Sequence, residues 1–296
     1  MNFVRGQLSV LIKRLLVLFL IYFLLRITFL IIYYPSFRFG NFSGVWMAFI
    51  TSLRFDTSAI ILSNAPFIIL SLLPFAFFYH KIYQWLLLAI FAAINNFFVF
   101  ANCVDLVFFR FVRKRMTADI FDFIAIGDDT KNVFPSLLRD YWYVILICLA
   151  MVWLMMYLYT RIQVPLAQNL NGPKSQALYA LTGTLIMLLS TGAAVIGARG
   201  GIQYKPLRMI AAARTTAAEN IPLVANTTFS MLSTIGKEKL EEANYFSEEE
   251  LSKHYSSVHQ NDTSQPMQPL NVVLIILESF SKEYIGYYND DKRFTP

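Results

Sequence analysis

The sequence predicts an all-α membrane protein with five transmembrane helices, followed by the first strand of an α/β domain that is cut short. Three observations carry this reading. The 296 residues are 56% hydrophobic and 16% aromatic, with a mean hydropathy of +0.50, above the roughly 45–50% apolar content of soluble domains. Five segments reach the roughly 20 mostly apolar residues that a hydrocarbon layer of about 30 Å requires, and they are 9–34, 57–79, 82–109, 141–160 and 176–198. Near the C-terminus, the run Asn271-Val272-Val273-Leu274-Ile275-Ile276-Leu277 leads straight into Glu278, the pattern of a strand buried on both faces.

The first span reads as an uncleaved helix. Arg5, Lys13 and Arg14 precede its apolar stretch as in a secretory leader, but Arg26 interrupts it and no small-residue cleavage site follows. Gly44-Val45-Trp46-Met47-Ala48-Phe49-Ile50 is apolar but too short to cross before Arg54 and Asp56, so it is expected to lie in the interface. Only His80 and Lys81 separate the second and third spans, which predicts an antiparallel hairpin. The loop 110–140 opens with Arg110, Arg113, Lys114 and Arg115, then continues with a mixed pattern from Thr117 to Ile126 that suits a helix on the membrane surface, with Thr117 as its N-cap.

These elements divide the chain into a five-helix domain over 1–198, a connector over 199–236, a polar linker over 237–269 and the start of a further domain over 270–296. Arg199-Gly200-Gly201 breaks the fifth helix. The linker holds Glu238, Glu241, Glu242, Glu248, Glu249 and Glu250 and closes on Gln265-Pro266-Met267-Gln268-Pro269, low in hydrophobicity and rich in turn formers.

The net charge of +6 and pI near 9.2 do not point to nucleic acid, because the cations are scattered between apolar runs rather than gathered on one soluble face. Anionic lipid headgroups are the expected partners. Five spans place the termini on opposite sides. The cations do not orient them: with a cytoplasmic N-terminus, Arg38, Arg54, Arg110, Arg113, Lys114, Arg115, Lys131 and Arg139 would lie outside and outnumber Arg5, Lys13, Arg14, Lys81, Arg161 and Lys174 inside, counter to the positive-inside tendency. Cys103 and Cys148 fall inside spans and match no metal spacing.

Glu278 is the principal candidate for chemistry. A carboxylate at the end of a buried strand, followed by the hydroxyls of Ser279 and Ser281, can coordinate a divalent cation, which would stabilise charge on a phosphoryl or sulfuryl oxygen. The plainer alternative is a Glu that caps the next helix. Ionisable groups inside spans are expensive and often functional, which singles out Arg26 and Asp105, the latter on a span that also carries Asn95, Asn96 and Asn102. Asp105 is expected to pair with Arg26, Arg54 or Arg110. The run Arg110, Arg113, Lys114 and Arg115 is expected either to anchor the chain on anionic lipid, at about 1 kcal/mol per cation, or to hold a phospholipid headgroup. His254 and His259 lack the i, i+4 spacing of a helical metal pair and read as solvated side chains.

The segment Asn271 to Ser281, with Phe294-Thr295-Pro296 shortly after, resembles the opening of the catalytic domain in the lipoteichoic acid synthase and phosphoglycerol transferase branch of the sulfatase, or alkaline-phosphatase-like, superfamily. The upstream layout is similar as well: five spans, the Arg199-Gly200-Gly201 connector with Pro206-Leu207, and Asn226-Thr227-Thr228-Phe229-Ser230. The resemblance implies a multi-pass protein of a bacterial inner or plasma membrane whose C-terminal domain is extracytoplasmic. It implies one divalent cation, manganese or zinc, bound by a Glu matching Glu278 together with an Asp and a His. A nucleophilic Thr is expected beyond Pro296, so this chain is expected to be an N-terminal, catalytically incomplete portion. Thr295 matches the Phe-Thr-Pro position and not the nucleophile's. The implied reaction moves a phosphoglycerol-type group from a phospholipid headgroup to a glycan or lipid acceptor of the cell envelope. A phosphoethanolamine transferase is an alternative, although that branch places Gly before the Glu and Thr after it, where this chain has Leu277 and Ser279. A sulfatase or phosphatase of the same superfamily is another. A non-enzymatic membrane scaffold or sensor is the alternative from a different class.

Overall fold

In a bilayer each backbone N–H and C=O must find its partner within the chain, and helices meet that demand segment by segment. The computed structural model describes residues 2–121, 136, 139–165, 173–236 and 245–255, with 271, 273, 274, 285 and 286. They fall into two units, 1–237 and 238–296. In the first unit the long helices are α1 (Asn2–Tyr33), α2 (Phe42–Ser63), α4 (Lys81–Val112), α5 (Trp142–Arg161) and α6 (Pro173–Ala198). All five are long and apolar enough to cross a membrane, compatible with a multi-pass membrane protein. A short helix, α3 (Ala65–Leu72), continues the crossing of α2 after a break at Asn64. Successive crossings place the start of α1, the end of α3, the start of α4 and the end of α5 at one end of the bundle, hereafter the N-terminal end.

The second crossing differs from its expected range of 57–79. It begins at Phe42, because the Asn41 side chain accepts a hydrogen bond from Gly44 N at 3.0 Å and caps the helix there. The segment 44–50 is therefore not a separate element but the start of a helix long and apolar enough to cross a membrane. Arg54 and Asp56, which read as an exit from the membrane, stay in the helix because both have partners inside the protein. Pro66 sits in the first turn of α3, where a missing N–H is harmless. The Asn64 and Asn95 side chains hold the bend to α4 through reciprocal amide hydrogen bonds of 3.0 and 2.7 Å.

Burial ranks the helices. Within their most apolar stretches, 39% of α1, 44% of α2 and 39% of α4 are buried, against 17% of α5 and 6% of α6. The first three thus form the core, with α5 laid against α4 and α1, and α6 laid against α2. The outer faces present Trp46, Trp85, Leu149, Trp153, Leu181 and Leu188, which suits contact with lipid. Close approach of α6 to α2 depends on Gly197, where a Cβ would lie 2.5 Å from Ile61 Cδ1.

At the end opposite the N-terminal one, the connector folds back on the bundle. The fifth helix stops where Gly200 takes a φ of +74° and its N–H and that of Gly201 close onto Gly197 O and Ile196 O at 2.9 Å each. Three short helices follow, α7 (Ile210–Ala213), α8 (Ile221–Val224) and α9 (Thr227–Thr234). Asn220 clasps the α1–α2 loop, accepting from Arg38 N at 2.9 Å and donating to Arg38 O at 2.8 Å. After α4, the stretch expected to be a surface helix from Thr117 begins as a turn, with helix only from Ile120. The Thr117 hydroxyl donates to Asp119 Oδ2 at 3.1 Å instead of capping the helix, and residues 122–126 lie outside the described ones.

In the second unit, the linker contains α10 (Glu248–His254), started by a capping box between Ser247 and Glu250. His254 is exposed at its end, and His259 lies outside the described residues. The strand expected over 271–277 falls largely outside them too. Asn271, Val273 and Leu274 are described, are exposed and have no regular secondary structure, so there is no strand among the described residues.

Gly200→Ala tests how the connector is docked. A Cβ there would meet Leu207 Cβ at 2.8 Å and would force an L-residue into the left-handed region, at about 1–2 kcal/mol. A lower unfolding temperature in detergent, with helix content unchanged, is the expected result.

Candidate functional site

Two aspartates and two arginines lie buried at the connector end of the bundle. Asp56 on α2 and Arg26 on α1 are 2% and 3% exposed, and the Arg26 guanidinium forms an ion pair with Asp56 Oδ1. Arg26 also donates to two carbonyls of α8, Leu223 O and, at 2.9 Å, Val224 O. Those carbonyls are free because α8 is a single short turn whose C=O groups have no helical continuation. Asn226 completes this half: its Nδ2 donates to Asp56 Oδ1 at 2.6 Å while its Oδ1 accepts from Phe229 N at 2.7 Å and caps α9.

The second half is built around Asp105 of α4, which is fully buried. Its Oδ2 accepts from Arg115 Nη1 at 2.7 Å and from the Thr227 hydroxyl at 2.8 Å, and its Oδ1 accepts from Met116 N at 2.6 Å. Arg115 further donates from Nε to Pro222 O at 2.6 Å and lies 3.5 Å over the Phe29 ring. Burial pushes the Arg115 guanidinium below its ordinary value, with the Asp105 carboxylate opposing the shift, and the side chain remains charged. Between the two pairs, Tyr22 and Thr228 share a hydrogen bond of 2.9 Å, and Asn102 Nδ2 donates to Thr228 Oγ1 at 3.0 Å. The space left among Tyr22, Arg26, Asn102, Arg115 and Asn226 is about 10 Å³, at most one water molecule.

This arrangement separates the four cations expected to act together. Arg115 is turned inward and is 5% exposed, so it is not available to a headgroup. The partner of Asp105 is thus Arg115 and not Arg26, Arg54 or Arg110. What divides the run is Arg113, which ends α4 with a φ of +58° and swings the next residues back under the helix. Arg110, Arg113 and Lys114 remain exposed, with Arg110 near the Tyr141 ring at 5.9 Å and Arg113 donating to Ser36 Oγ at 2.6 Å. Arg54 faces the last turn of α6, donating from Nε and Nη2 to Gly200 O at 3.1 and 2.9 Å.

Beside the network, an open groove of about 790 Å³ runs between α2, α6 and the connector. Leu62, Val195, Leu207, Met209, Phe229 and Leu232 supply its apolar walls, and Arg199 and Arg208, both exposed, supply cations. Sequence reasoning did not single out this groove, since its walls come from segments well over a hundred positions apart. Glu278, the expected metal ligand, lies outside the described residues. Among the described residues no three His, Cys, Asp or Glu side chains gather to hold a metal, and Asp56 and Asp105 are both occupied by guanidinium groups.

The paired charges make a clear mutational prediction. Removing one partner of a buried pair leaves the other uncompensated and costs about 3–5 kcal/mol, whereas replacing both with apolar residues of similar volume is close to neutral. Asp105→Leu alone should therefore destabilise the protein strongly, and Asp105→Leu with Arg115→Met should regain much of that loss in thermal unfolding in detergent. In comparisons with known proteins, no family model matches the chain, and no curated protein or solved structure matches it significantly.

Proposed function

We propose that this chain is the membrane-embedded portion of a metal-dependent transferase of the sulfatase type, which moves a phosphoglycerol-type group from a phospholipid headgroup to an acceptor in the cell envelope. The groove at the connector end is the observation that carries the reading. Its volume is in the range of small-molecule sites, its walls are apolar, and it opens beside lipid-facing α6 with two arginines in reach of a headgroup phosphate. Arg110, Arg113 and Lys114 lie at the same end of the bundle and would raise the local concentration of anionic lipid.

In this reading the two buried ion pairs hold the connector rigid, so that the groove keeps its shape while a lipid enters from the bilayer. The groove takes the diacyl part against Leu62, Leu207 and Phe229, and Arg199 and Arg208 hold the phosphate. Glu278, by its resemblance to the metal-binding Glu of the phosphoglycerol transferase branch, contributes to a manganese or zinc site. The metal would supply charge stabilisation at the phosphoryl oxygens and lower the pKa of a nucleophilic hydroxyl. The catalytic domain would work outside the cytoplasm of a bacterial cell.

The test uses the protein in its source membrane. Glu278→Gln should abolish manganese-stimulated release of glycerol phosphate from labelled phosphatidylglycerol. Arg199→Gln with Arg208→Gln should raise the lipid concentration needed for half-maximal turnover by about tenfold, the loss of one or two charge-assisted hydrogen bonds. If Glu278→Gln membranes match wild type with phosphatidylglycerol, phosphatidylethanolamine and sulfate-ester substrates alike, the catalytic reading fails and a scaffold or sensor takes its place.

A further inference from the structure

A third arginine is buried at the opposite, N-terminal end, and it has no aspartate. Arg14 on α1 is 3% exposed, and among the described residues no carboxylate lies within ion-pair distance of it. Its Nη2 donates to Gln84 Oε1 at 2.7 Å, and its guanidinium stands 4.3 Å over the Tyr159 ring. Gln84 is itself held by Nε2, which donates to Phe78 O at 2.5 Å, so its oxygen is fixed on Arg14. The Arg14 Nε and Nη1 groups and the Tyr159 hydroxyl have no hydrogen-bond partner among the described residues.

Arg14, Gln84 and Tyr159 line one pocket of about 420 Å³, together with Tyr79, Lys81, Trp85 and Thr160. Arg26 and Arg115 show how this fold treats a buried guanidinium: each faces a carboxylate and carbonyl oxygens. Arg14 instead keeps two donors without a partner among the described residues, buried just behind an open space that the exposed Lys81 side chain also lines, and among the described residues no Asp or Glu lines it. A buried cation left without a counter-charge is costly. A guanidinium next to a lysine is suited to phosphate oxygens, which accept charge-assisted N–H bonds from both cations together. Trp85 is 70% exposed at the start of α4, the placement of an indole at the membrane–water boundary, which sets the pocket at headgroup depth.

We propose that the Arg14–Lys81–Tyr159 pocket binds a phosphate group, carried either by a phospholipid of the leaflet at the N-terminal end or by a free anion. Arg14 supplies the guanidinium charge and one N–H, from Nε or Nη1, Lys81 closes the outer side, and the Tyr159 hydroxyl donates to a further oxygen. Nothing in this assignment depends on the transferase reading, which concerns the other end of the bundle.

The experiment uses the full chain, purified in detergent and stripped of lipid. Native mass spectrometry after incubation with equal phosphatidylglycerol and phosphatidylcholine reads headgroup binding. Thermal unfolding with inorganic phosphate against chloride at matched ionic strength reads free-anion binding. For a headgroup site, wild type retains an anionic lipid about tenfold over phosphatidylcholine. With Arg199→Gln and Arg208→Gln in place to silence the groove at the other end, a lipid preference persists, and adding Arg14→Gln or Lys81→Gln removes it. For a free-anion site, phosphate alone raises the unfolding temperature of wild type, the Arg14 and Lys81 variants lose that rise, and no lipid preference maps to this end. Lys81 is exposed, so its variant decides the matter even where Arg14→Gln fails to fold. Neither response in wild type, or either response unchanged when Lys81→Gln is added to the Arg199→Gln, Arg208→Gln protein, overturns the proposal.

Discussion

A charge placed inside an apolar bundle is costly unless another charge on a neighbouring element matches it, and this cost organises the connector end of the protein. Arg26 and Asp56 join α1 to α2, and Asp105 and Arg115 join α4 to the segment that follows it. Neither pair is satisfied by its own two members. Leu223 O, Val224 O and Asn226 add to the first, leaving Arg26 Nε without a partner among the described residues, and Pro222 O and Thr227 add to the second. The connector is thus not merely draped over the bundle. Its backbone carbonyls and side chains are the remaining ligands of two guanidinium groups and two carboxylates, and without it four polar groups would face hydrocarbon.

The same cost explains why this end has both a dry interior and an open groove. Once α8 and α9 are drawn onto α1, α2 and α4, Phe229 is carried against Phe55, with ring centroids 4.9 Å apart. That contact closes one wall of the groove, and α6 closes another where Ser58 donates to Ala198 O at 2.5 Å and Arg54 to Gly200 O. The outermost helix is therefore tethered at its C-terminal end by hydrogen bonds from α2, while most of its length faces outward.

The five apolar helices were legible because span length and hydropathy are properties of contiguous residues. The start of the second was not, since Arg54 and Asp56 read as an exit from the membrane. Only their distant partners, Gly200 and Arg26, make them tolerable inside it. The Asn41 cap did carry a local signal, an Asn just ahead of an apolar run. Arg26 and Asp105 stood out as charges within spans, but the partner of Asp105 was hidden in a basic run that looked uniform. A left-handed residue at Arg113, where most side chains are disfavoured, splits that run into an inward and an outward part. Asn226, Thr227 and Thr228 were visible as a cluster, yet their roles depend on contacts reaching across 170, 122 and 206 positions, which no periodicity reports. Glu278 and the strand before it lie outside the described residues.

The sequence order of the charged partners also bears on how the protein is made. Helix α1 emerges from the ribosome with Arg26 unpaired, and a lone arginine within a span costs at most about 2.5–3.5 kcal/mol at insertion, the figure for the helix centre. Its strong mean hydropathy of 2.8 can offset that. Asp56 arrives thirty positions later and neutralises it, so the first two helices have reason to insert as a pair. Asp105 is followed after only ten positions by Arg115, which lets α4 neutralise itself as its C-terminal end leaves the translocon. The carbonyls of Pro222, Leu223 and Val224 are synthesised after all five helices, so biogenesis runs through a bundle whose connector end is already charge-paired but not yet fully hydrogen-bonded, and the connector acts as its final clasp.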